Sequence, residues 1–346
     1  MSVFRPPFTF RNSDAAILRF PFPMRADSYV HRMNLEPHKP SAASPVYDAV
    51  FDTDEHYVAE CADRARVLAA DPLRCQVLPH MDVAEWDTLE LLMRALAADY
   101  PQHFTLTCAG DSWCWENRLL GLRDSFVFGD RASLPNPFEY ILRQVQGDFT
   151  IQGQRDGSLW LDGGCLTSAG NWSLDYTLGM NFHQWHRPVP LANESGVFDR
   201  ALTYLMALRA GAPVRRVNWS FTVNPHLDTG AEVSPDWAPD RDALVQDLVG
   251  AQVCLRVELQ TLHRLPRSHA ILFGIRAYML RLEELARVPA WARRLHRVIR
   301  DLDPRLAEYK GLTRTGPMIV RYLAPFDDGA PTPPGSAAPD RLNPPD

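Results

Sequence analysis

The sequence predicts an α+β protein built on a five-stranded antiparallel sheet with flanking helices and additional helices near both ends. Two observations lead to this class. Apolar residues recur at helical intervals in the first third of the chain, over 56–68 and 83–100. After Phe149 the period changes to that of strands, in a short hairpin and in three later stretches. Two strands, a helical segment and three more strands fit one antiparallel sheet with helices on one face.

The strands are predicted at five places along the chain. The hairpin is formed by 149–154 and 158–161, with a turn at Asp156-Gly157. The later strands span 214–223, 253–262 and 270–278. Per-ARNT-Sim (PAS) sensor domains use this order of elements and hold cofactors between sheet and helices. The sequence therefore predicts a PAS-like core.

Helical periodicity and composition divide the chain into four regions. Helices are predicted over 56–68, 83–100, 137–146, 197–209, 240–249, 276–287 and 290–302. The predicted regions are an irregular N-terminal arm (1–45), a helical N-terminal region packed on the core (46–147), the PAS-like core with C-terminal helices (148–312) and a Pro-rich, partly disordered tail (313–346).

Composition excludes several classes of function. The 346 residues carry a net charge of −6, without the clustered basic surface that nucleic acids require. The first residues do not resemble an export signal, and no stretch approaches the roughly 20 apolar residues that span a bilayer. We therefore expect a cytoplasmic protein. The six cysteines form no C-x-x-C pair, which argues against a zinc ribbon or an iron–sulfur cluster on this chain.

Two histidines stand out among the eleven. His183 and His186 flank Trp185, and Pro188 and Pro190 then fix the backbone and end any helix. A helix that ends at such a corner could present one axial ligand, and haem needs one proximal imidazole in an apolar pocket. The i, i+3 spacing would also permit joint metal binding. From the pattern alone, His186 is either a ligand or a packed structural histidine.

Polar side chains alternate along the predicted strand 253–262. Arg256, Glu258 and Gln260 point to one face because successive residues of a strand face opposite sides. This row is either a solvent-exposed face with an Arg–Glu pair or the wall of a polar pocket that recognises a small cation.

Two neighbouring segments would lie close to that strand. On the preceding strand, Arg216 and Asn218 share one face and Trp219 lies on the other. The turn at 264–268, Arg-Leu-Pro-Arg-Ser, is either solvated or binds a carboxylate such as a haem propionate, since the arginine fork matches carboxylates.

Several of these blocks, in this order, resemble the haem-dependent oxidative N-demethylase family, which includes the haem subunits of dimethylamine monooxygenases. The resemblance covers about residues 45–312. The matching segments are 144–149, Trp172 with Gly179, 186–190, 216–219, 256–262, and 264–268 with Phe273, Ile275, Arg276 and Tyr278.

The resemblance implies a PAS-like domain that binds haem b and oxygen beside a small secondary amine, and oxidises one N-methyl group to formaldehyde. It implies His186 as the axial ligand, with His183 as the alternative. Glu258 would accept a hydrogen bond from the dialkylammonium ion, and Arg256 or Asn218 would stabilise negative charge on bound oxygen. Further cofactor-binding residues would be Arg216, Trp219, Arg264, Arg267 and Ser268, and further amine-binding residues Gln260 and Tyr278.

Partner subunits are also implied. Electrons would come from NADPH through FMN and a 2Fe-2S cluster on partner chains, in agreement with the missing cluster cysteines and nucleotide motifs here. A non-enzymatic gas or redox sensor of the PAS type is the competing hypothesis, although no segment resembles a sensor's output module. A protein without haem, in which the matched blocks serve packing, is the third.

Overall fold

The computed structural model describes residues 10–29, 33–41, 46–189, 196–332, 335 and 342. Helices and antiparallel strands alternate along these ranges. The strands are β1 (Glu36–Pro37), β2 (Cys75–Val77), β3 (Phe104–Ala109), β4 (Ser112–Asn117), β5 (Leu122–Val127), β6 (Asp148–Arg155), β7 (Ser158–Cys165), β8 (Val214–Val223), β9 (Val253–Arg264) and β10 (Ile271–Arg281).

Seven of these strands form one large antiparallel sheet, in the order β1-β8-β9-β10-β6-β7-β2. The large antiparallel sheet was predicted correctly, but its number of strands was not. The five predicted strands, β6 to β10, are contiguous in it, and β1 and β2 extend it at its two edges. These edge strands have two and three residues, too few for an alternating pattern to be visible in the sequence.

A second sheet, β3-β4-β5, lies in the region that was predicted to be helical. Its middle strand buries Trp113, Trp115 and Asn117 on one face, which is the alternation of a strand. The predicted helical region 46–147 therefore also contains a sheet that the prediction did not include. The tryptophan alternation was the sequence signal for this sheet.

The predicted β6–β7 hairpin is confirmed, together with its turn. Arg155 pairs with Ser158, and the two intervening residues, Asp156 and Gly157, have φ of 52° and 70°. Positive φ at both positions is the geometry that fits the right-handed twist of a two-residue hairpin, and Asp-Gly tolerates it. A register shift between Ile151 and Gln152 bends the pair further along.

Helices surround the large sheet. They are α1 (Asp14–Leu18), α2 (Tyr57–Ala70), α3 (Asp82–Asp99), α4 (Pro137–Leu142), α5 (Leu174–Thr177), α6 (Phe182–His186), α7 (Val197–Met206), α8 (Ser234–Ala243), α9 (Val249–Gln252), α10 (Leu282–Ala286), α11 (Pro289–Arg300), α12 (Pro304–Tyr309) and α13 (Thr315–Leu323). Single 3-10 turns occur at Pro72–Arg74, Pro79–Met81, Gln246–Leu248 and Ala324–Phe326.

The large sheet has helices on both faces, whereas one face was predicted. On what we call the packed face, Phe149 and Leu272 join the core of α2–α4, and Leu255 and Leu280 join that of α10–α13. On the opposite face, which we call the cavity face, Leu262 and neighbouring apolar residues pack against α6 and α7. The cavity face carries the side chains of Arg256, Glu258 and Gln260, because these alternate with the packed residues of β9.

Two predicted helices differ most from the observed ones. The helix predicted over 240–249 is α8, which begins earlier because Pro235 suits a first helical turn and which ends where Leu244 becomes extended. The helix predicted over 276–287 begins only after β10, since pairing with β9 continues to Arg281 opposite Cys254.

The two ends of the chain are only partly described. The N-terminal arm contains α1 and β1, and it contributes buried side chains to the core: Phe22 stacks on Trp291 with ring centroids 5.0 Å apart. Residues 313–332 of the predicted tail are described, and they include α13 with its buried Ile319 and Leu323. Residues 333–334, 336–341 and 343–346 lie outside the described residues, so their predicted disorder stays a prediction. Within the described ranges, every helix is too short or too polar to span a bilayer.

Candidate functional site

A cavity of about 1350 Å³ lies between the cavity face of the large sheet and helices α5–α7. Ligand pockets usually enclose roughly 300–1,000 Å³, so this one has room for a cofactor and a small second molecule. Its apolar wall includes Phe182, Trp185, Phe198, Leu205, Leu262, Phe273 and Ile275. Its polar wall includes Gln152, His186, Arg216, Asn218, Glu258, Gln260 and Lys310.

Helix α6 carries His186 into this cavity. Asn181 and Gln184 form a capping box at the start of this five-residue helix, and Asn181 also bridges to Trp160 on β7. The helix ends at His186, and Pro188 follows two residues later, where a proline cannot extend a helix. The sequence thus places the imidazole on the last residue of a short, well-capped turn.

The tautomer of His186 is fixed by its own helix. Nδ1 lies 2.8 Å from the carbonyl oxygen of Phe182 and must donate to it, because a carbonyl only accepts. Nε2 therefore carries the lone pair, the form that ligates a metal. Burial lowers the pKa of His186 to about 4; the Phe182 bond opposes this shift, and the nearby charge of Arg216 adds to it. The imidazole is thus neutral at pH 7.

Two aromatic rings hold the imidazole in place. The ring centroids of Phe182 and Phe198 lie 4.3 and 4.4 Å from that of His186. His183, in contrast, is exposed and bonds through Nε2 to Asp199 at 2.9 Å. The structure therefore turns His186 toward the cavity and His183 away from it.

Glu258 is the carboxylate of the polar wall and is almost completely buried. Its Oε1 accepts from Arg256 Nε at 3.3 Å. Its Oε2 accepts from Gln260 Nε2 at 3.0 Å and from Asn218 Nδ2 at 3.4 Å. The predicted common face of Arg256, Glu258 and Gln260 is confirmed.

Arg256 stands behind Glu258 and does not line the cavity. It is fully buried, and its two terminal nitrogens donate to the carbonyl oxygens of Leu227 and Ser168. Gly170 closes over the pair: a Cβ at this position would lie 2.7 Å from Glu258 Oε1 and 3.3 Å from Arg256 Nε. The backbone thus approaches the carboxylate as closely as only glycine allows.

Three more predicted residues reach or border the cavity. Asn218 faces it beside Glu258, and Arg216 and Trp219 line it on the part of β8 that follows the short pairing with β1. Arg216 Nε is buried and has no hydrogen-bond partner among the described residues. Burial lowers the pKa of this guanidinium.

Four predicted residues are held elsewhere. Arg264 secures the C-terminal end of α7 by donating to the carbonyl oxygens of Leu205, Met206 and Leu208. Arg267 pairs with Asp87 and Glu90 on α3, and the backbone N–H of Ser268 donates to Asp87. Tyr278 lies on the packed face, borders a separate cavity of about 520 Å³, and donates its hydroxyl to Asp52 at 2.8 Å. The structure does not bring these side chains to the main cavity.

Gln152 and Lys310 are among the polar residues of the cavity that sequence reasoning missed. Gln152 follows the β6 irregularity, and its buried Oε1 has no partner among the described residues. Lys310 follows α12, donates to the carbonyl oxygen of Trp219 at 2.7 Å and lies 4.1 Å from the centroid of that indole. Alternation along β6 was a signal for Gln152, whereas nothing local marks Lys310.

A large antiparallel sheet, a partly open cavity of ligand size and a neutral histidine with a free lone pair are the features of an α+β protein with a candidate ligand site. The sequence model of the family described as haem-dependent oxidative N-demethylase, alpha subunit-like, matches residues 42–320, and the chain belongs to this family. The resemblance seen in the sequence is thereby confirmed. The family description names haem dependence, oxidative N-demethylation and an alpha subunit, and therefore implies partner subunits.

Proposed function

We propose that this chain is the haem-carrying subunit of an oxidative N-demethylase, in which His186 Nε2 would hold the iron of haem b. The observation that carries the proposal is the neutral imidazole, oriented by Phe182 and facing a cavity large enough for a porphyrin. The apolar wall suits a porphyrin face. Bound haem would supply the redox chemistry that activates oxygen.

The substrate we propose is a small secondary amine of the dimethylamine type. One amine, one O2, two electrons and two protons give a primary amine, formaldehyde and water. The electrons would come from NADPH through FMN and a 2Fe-2S cluster on partner subunits, which agrees with the alpha-subunit description of the family. We also propose that β6–β10 and helices α5–α7 form a PAS-like core. The strand order β8-β9-β10-β6-β7 supports this proposal.

Glu258 is the group we propose for binding the amine. A carboxylate has about four acceptor positions, and three are occupied by Arg256, Asn218 and Gln260. The free position lies on Oε1, which would accept an N–H of the dialkylammonium ion and could take its proton before oxidation. Asn218 and Gln260 orient the carboxylate, and Arg256 is a positioning residue behind it.

Replacement of the ligand tests the haem assignment. His186→Ala should abolish the Soret band of the purified protein, because no other residue is proposed to bind the iron. His183→Ala is the matched control and should retain the band, since its side chain faces away from the cavity. A full Soret band in His186→Ala would refute the assignment.

Product analysis tests the reaction. With a flavin and iron–sulfur reductase supplied, the haem-loaded protein should release formaldehyde from dimethylamine in proportion to the NADPH consumed. A haem protein that binds gases but forms no formaldehyde under these conditions would be a sensor instead.

A further inference from the structure

Two cations on the cavity wall form no salt bridge with a carboxylate among the described residues, although Glu258 is near enough to act on the charge of both. Arg216 forms no salt bridge within the described part of the chain, and its Nε is buried without a hydrogen bond. Among the described residues, Lys310 donates its hydrogen bond to the neutral carbonyl of Trp219, and it lies over that indole. The charge of Arg216 is near enough to act on Lys310: burial lowers the pKa of Lys310 to about 7, Glu258 opposes this, and Arg216 adds to it.

The carboxylates that line the same cavity are already paired. Asp148 lies 3.4 Å from Arg64, Glu258 lies 3.3 Å from Arg256, and Glu232 lies 4.0 Å from Arg74. Each of these arginines stands outside the cavity lining. The charge of each wall carboxylate is therefore balanced by an arginine outside the cavity lining. The charge that remains unbalanced on the cavity side, at Arg216 and Lys310, is positive.

We propose that Arg216 and Lys310 form a carboxylate-binding subsite beside Glu258, at the part of β8 with which β1 does not pair. An Arg–Lys pair that is partly shielded from water gains most from an anion that both can reach, and a guanidinium binds a carboxylate through parallel hydrogen bonds. Trp219 supports the subsite because Lys310 is held against its carbonyl and its ring.

Two molecules are candidates to supply the carboxylate that this subsite would bind, and the inference rests on the proposed function. One is a propionate of the bound haem. The other is the substrate itself: a zwitterionic N-methyl amino acid would place its ammonium group on Glu258 and its carboxylate on Arg216 and Lys310. The second source would widen the substrate class from simple amines to N-methylated amino acids.

Binding titrations with matched probes test the subsite. The variants are Arg216→Gln, Lys310→Met and the double variant. Arg241→Gln is the matched control, because Arg241 lines the same cavity but its guanidinium lies over Trp237, 5.0 Å from the ring centroid. The probes are ferric haem and its dipropionate dimethyl ester, followed by Soret absorbance, and N-methylglycine and dimethylamine, followed by calorimetry.

If the propionate is the ligand, Arg216→Gln and Lys310→Met should each weaken haem binding at least about tenfold and leave binding of the ester unchanged. If the substrate carboxylate is the ligand, the same variants should weaken binding of N-methylglycine by a similar factor and leave dimethylamine unchanged. Equal losses in Arg241→Gln, or no change with any carboxylate probe, would overturn the proposal.

Failure of the two proposals can be told apart. If the wild-type chain binds no haem, the demethylase proposal fails, but N-methylglycine titrated into the purified chain still tests the subsite. If haem binds through His186 and the Arg216 and Lys310 variants behave as wild type toward every probe, the subsite fails and the demethylase proposal stands.

Discussion

Each face of the large sheet carries an arginine that is at least partly buried, and the two arginines have different partners. On the packed face, Arg276 donates through Nη1 to both carboxylate oxygens of Glu60 at 3.1 Å and through Nη2 to Asp54 at 2.5 Å. On the cavity face, Arg216 has no such partner among the described residues. A buried charge with partners is part of the architecture, whereas one without partners marks a surface that is completed by a ligand.

The largest effect should come from breaking the packed-face pair. Arg276→Ala would leave two carboxylates uncompensated, so we expect the free energy of unfolding to fall by about 3–5 kcal/mol. Urea denaturation of the chain without cofactor measures it. Arg216→Gln is the cavity-face counterpart and should be neutral or stabilising in the same assay, because it removes an unpaired charge. Equal losses of unfolding free energy in Arg276→Ala and Arg216→Gln would show that the arginines of the two faces do not differ in their contribution to stability.

Glu258→Gln should act on ligand binding rather than on the fold. The amide removes the negative charge that attracts an ammonium ion, so dimethylamine affinity should fall about 10- to 100-fold. Haem content should not change, because Glu258 is not proposed to contact the iron. Calorimetry with the haem-loaded protein measures the amine affinity, and an unchanged dissociation constant would exclude Glu258 as its partner.

A buried histidine on the packed face predicts a pH dependence of stability. Burial, with the charge of His38 adding to it, lowers the pKa of His263 to about 3, whereas an unfolded histidine titrates near 6.5. Between these values the unfolded chain binds a proton that the folded chain refuses, so this contribution to stability is lost as pH falls from 6.5 toward 3.

His263→Leu should therefore reduce the slope of the free energy of unfolding against pH by up to about 1.4 kcal/mol per pH unit in that window. His263→Phe should show the same reduction, which separates titration from packing. Urea unfolding at a series of pH values gives both slopes, and wild-type slopes in the two variants would contradict the prediction.

The smallest effect concerns the backbone next to Glu258. Gly170→Ala places a Cβ within 2.7 Å of Oε1, and this oxygen cannot move freely because Arg256 holds it. We expect amine affinity to fall several-fold, at a cost of about 1 kcal/mol. Gly157→Ala is a distant control, since a Cβ there meets no atom within 4 Å, although its positive φ costs some stability. Wild-type amine affinity in Gly170→Ala would show that Glu258 tolerates displacement.

What the sequence predicts well is local. The two-residue period of β9 placed Arg256, Glu258 and Gln260 on one face, and Asp156-Gly157 predicted a hairpin turn, because both depend only on neighbouring residues. The long strands of the large sheet were found for the same reason. The strands with two or three residues were not, since alternation needs more length to show.

What the sequence could not predict depends on distant contacts. Arg256 was expected at the cavity, but Gly170 and the carbonyl oxygen of Leu227 enclose it from other parts of the chain. The arginine fork of Arg264 was recognised, yet its partners are helix-end carbonyls and not a carboxylate. Lys310 reaches Trp219 across 91 positions of sequence, so no local pattern could indicate it.

Because α6 is short, its stability is coupled to ligand binding at His186. A single five-residue turn does not persist by itself, so its conformation depends on the Asn181 cap and on contacts with β7 and α7. An atom bound at Nε2 of His186 would add one more contact that holds α6 in place. Its binding free energy would also oppose local unfolding of α6. Backbone amides of residues 182–187 should then exchange with deuterium more slowly in the haem-loaded protein than in the haem-free chain. The hydrogen-exchange protection of α6 would thus show whether the imidazole of His186 has a bound ligand.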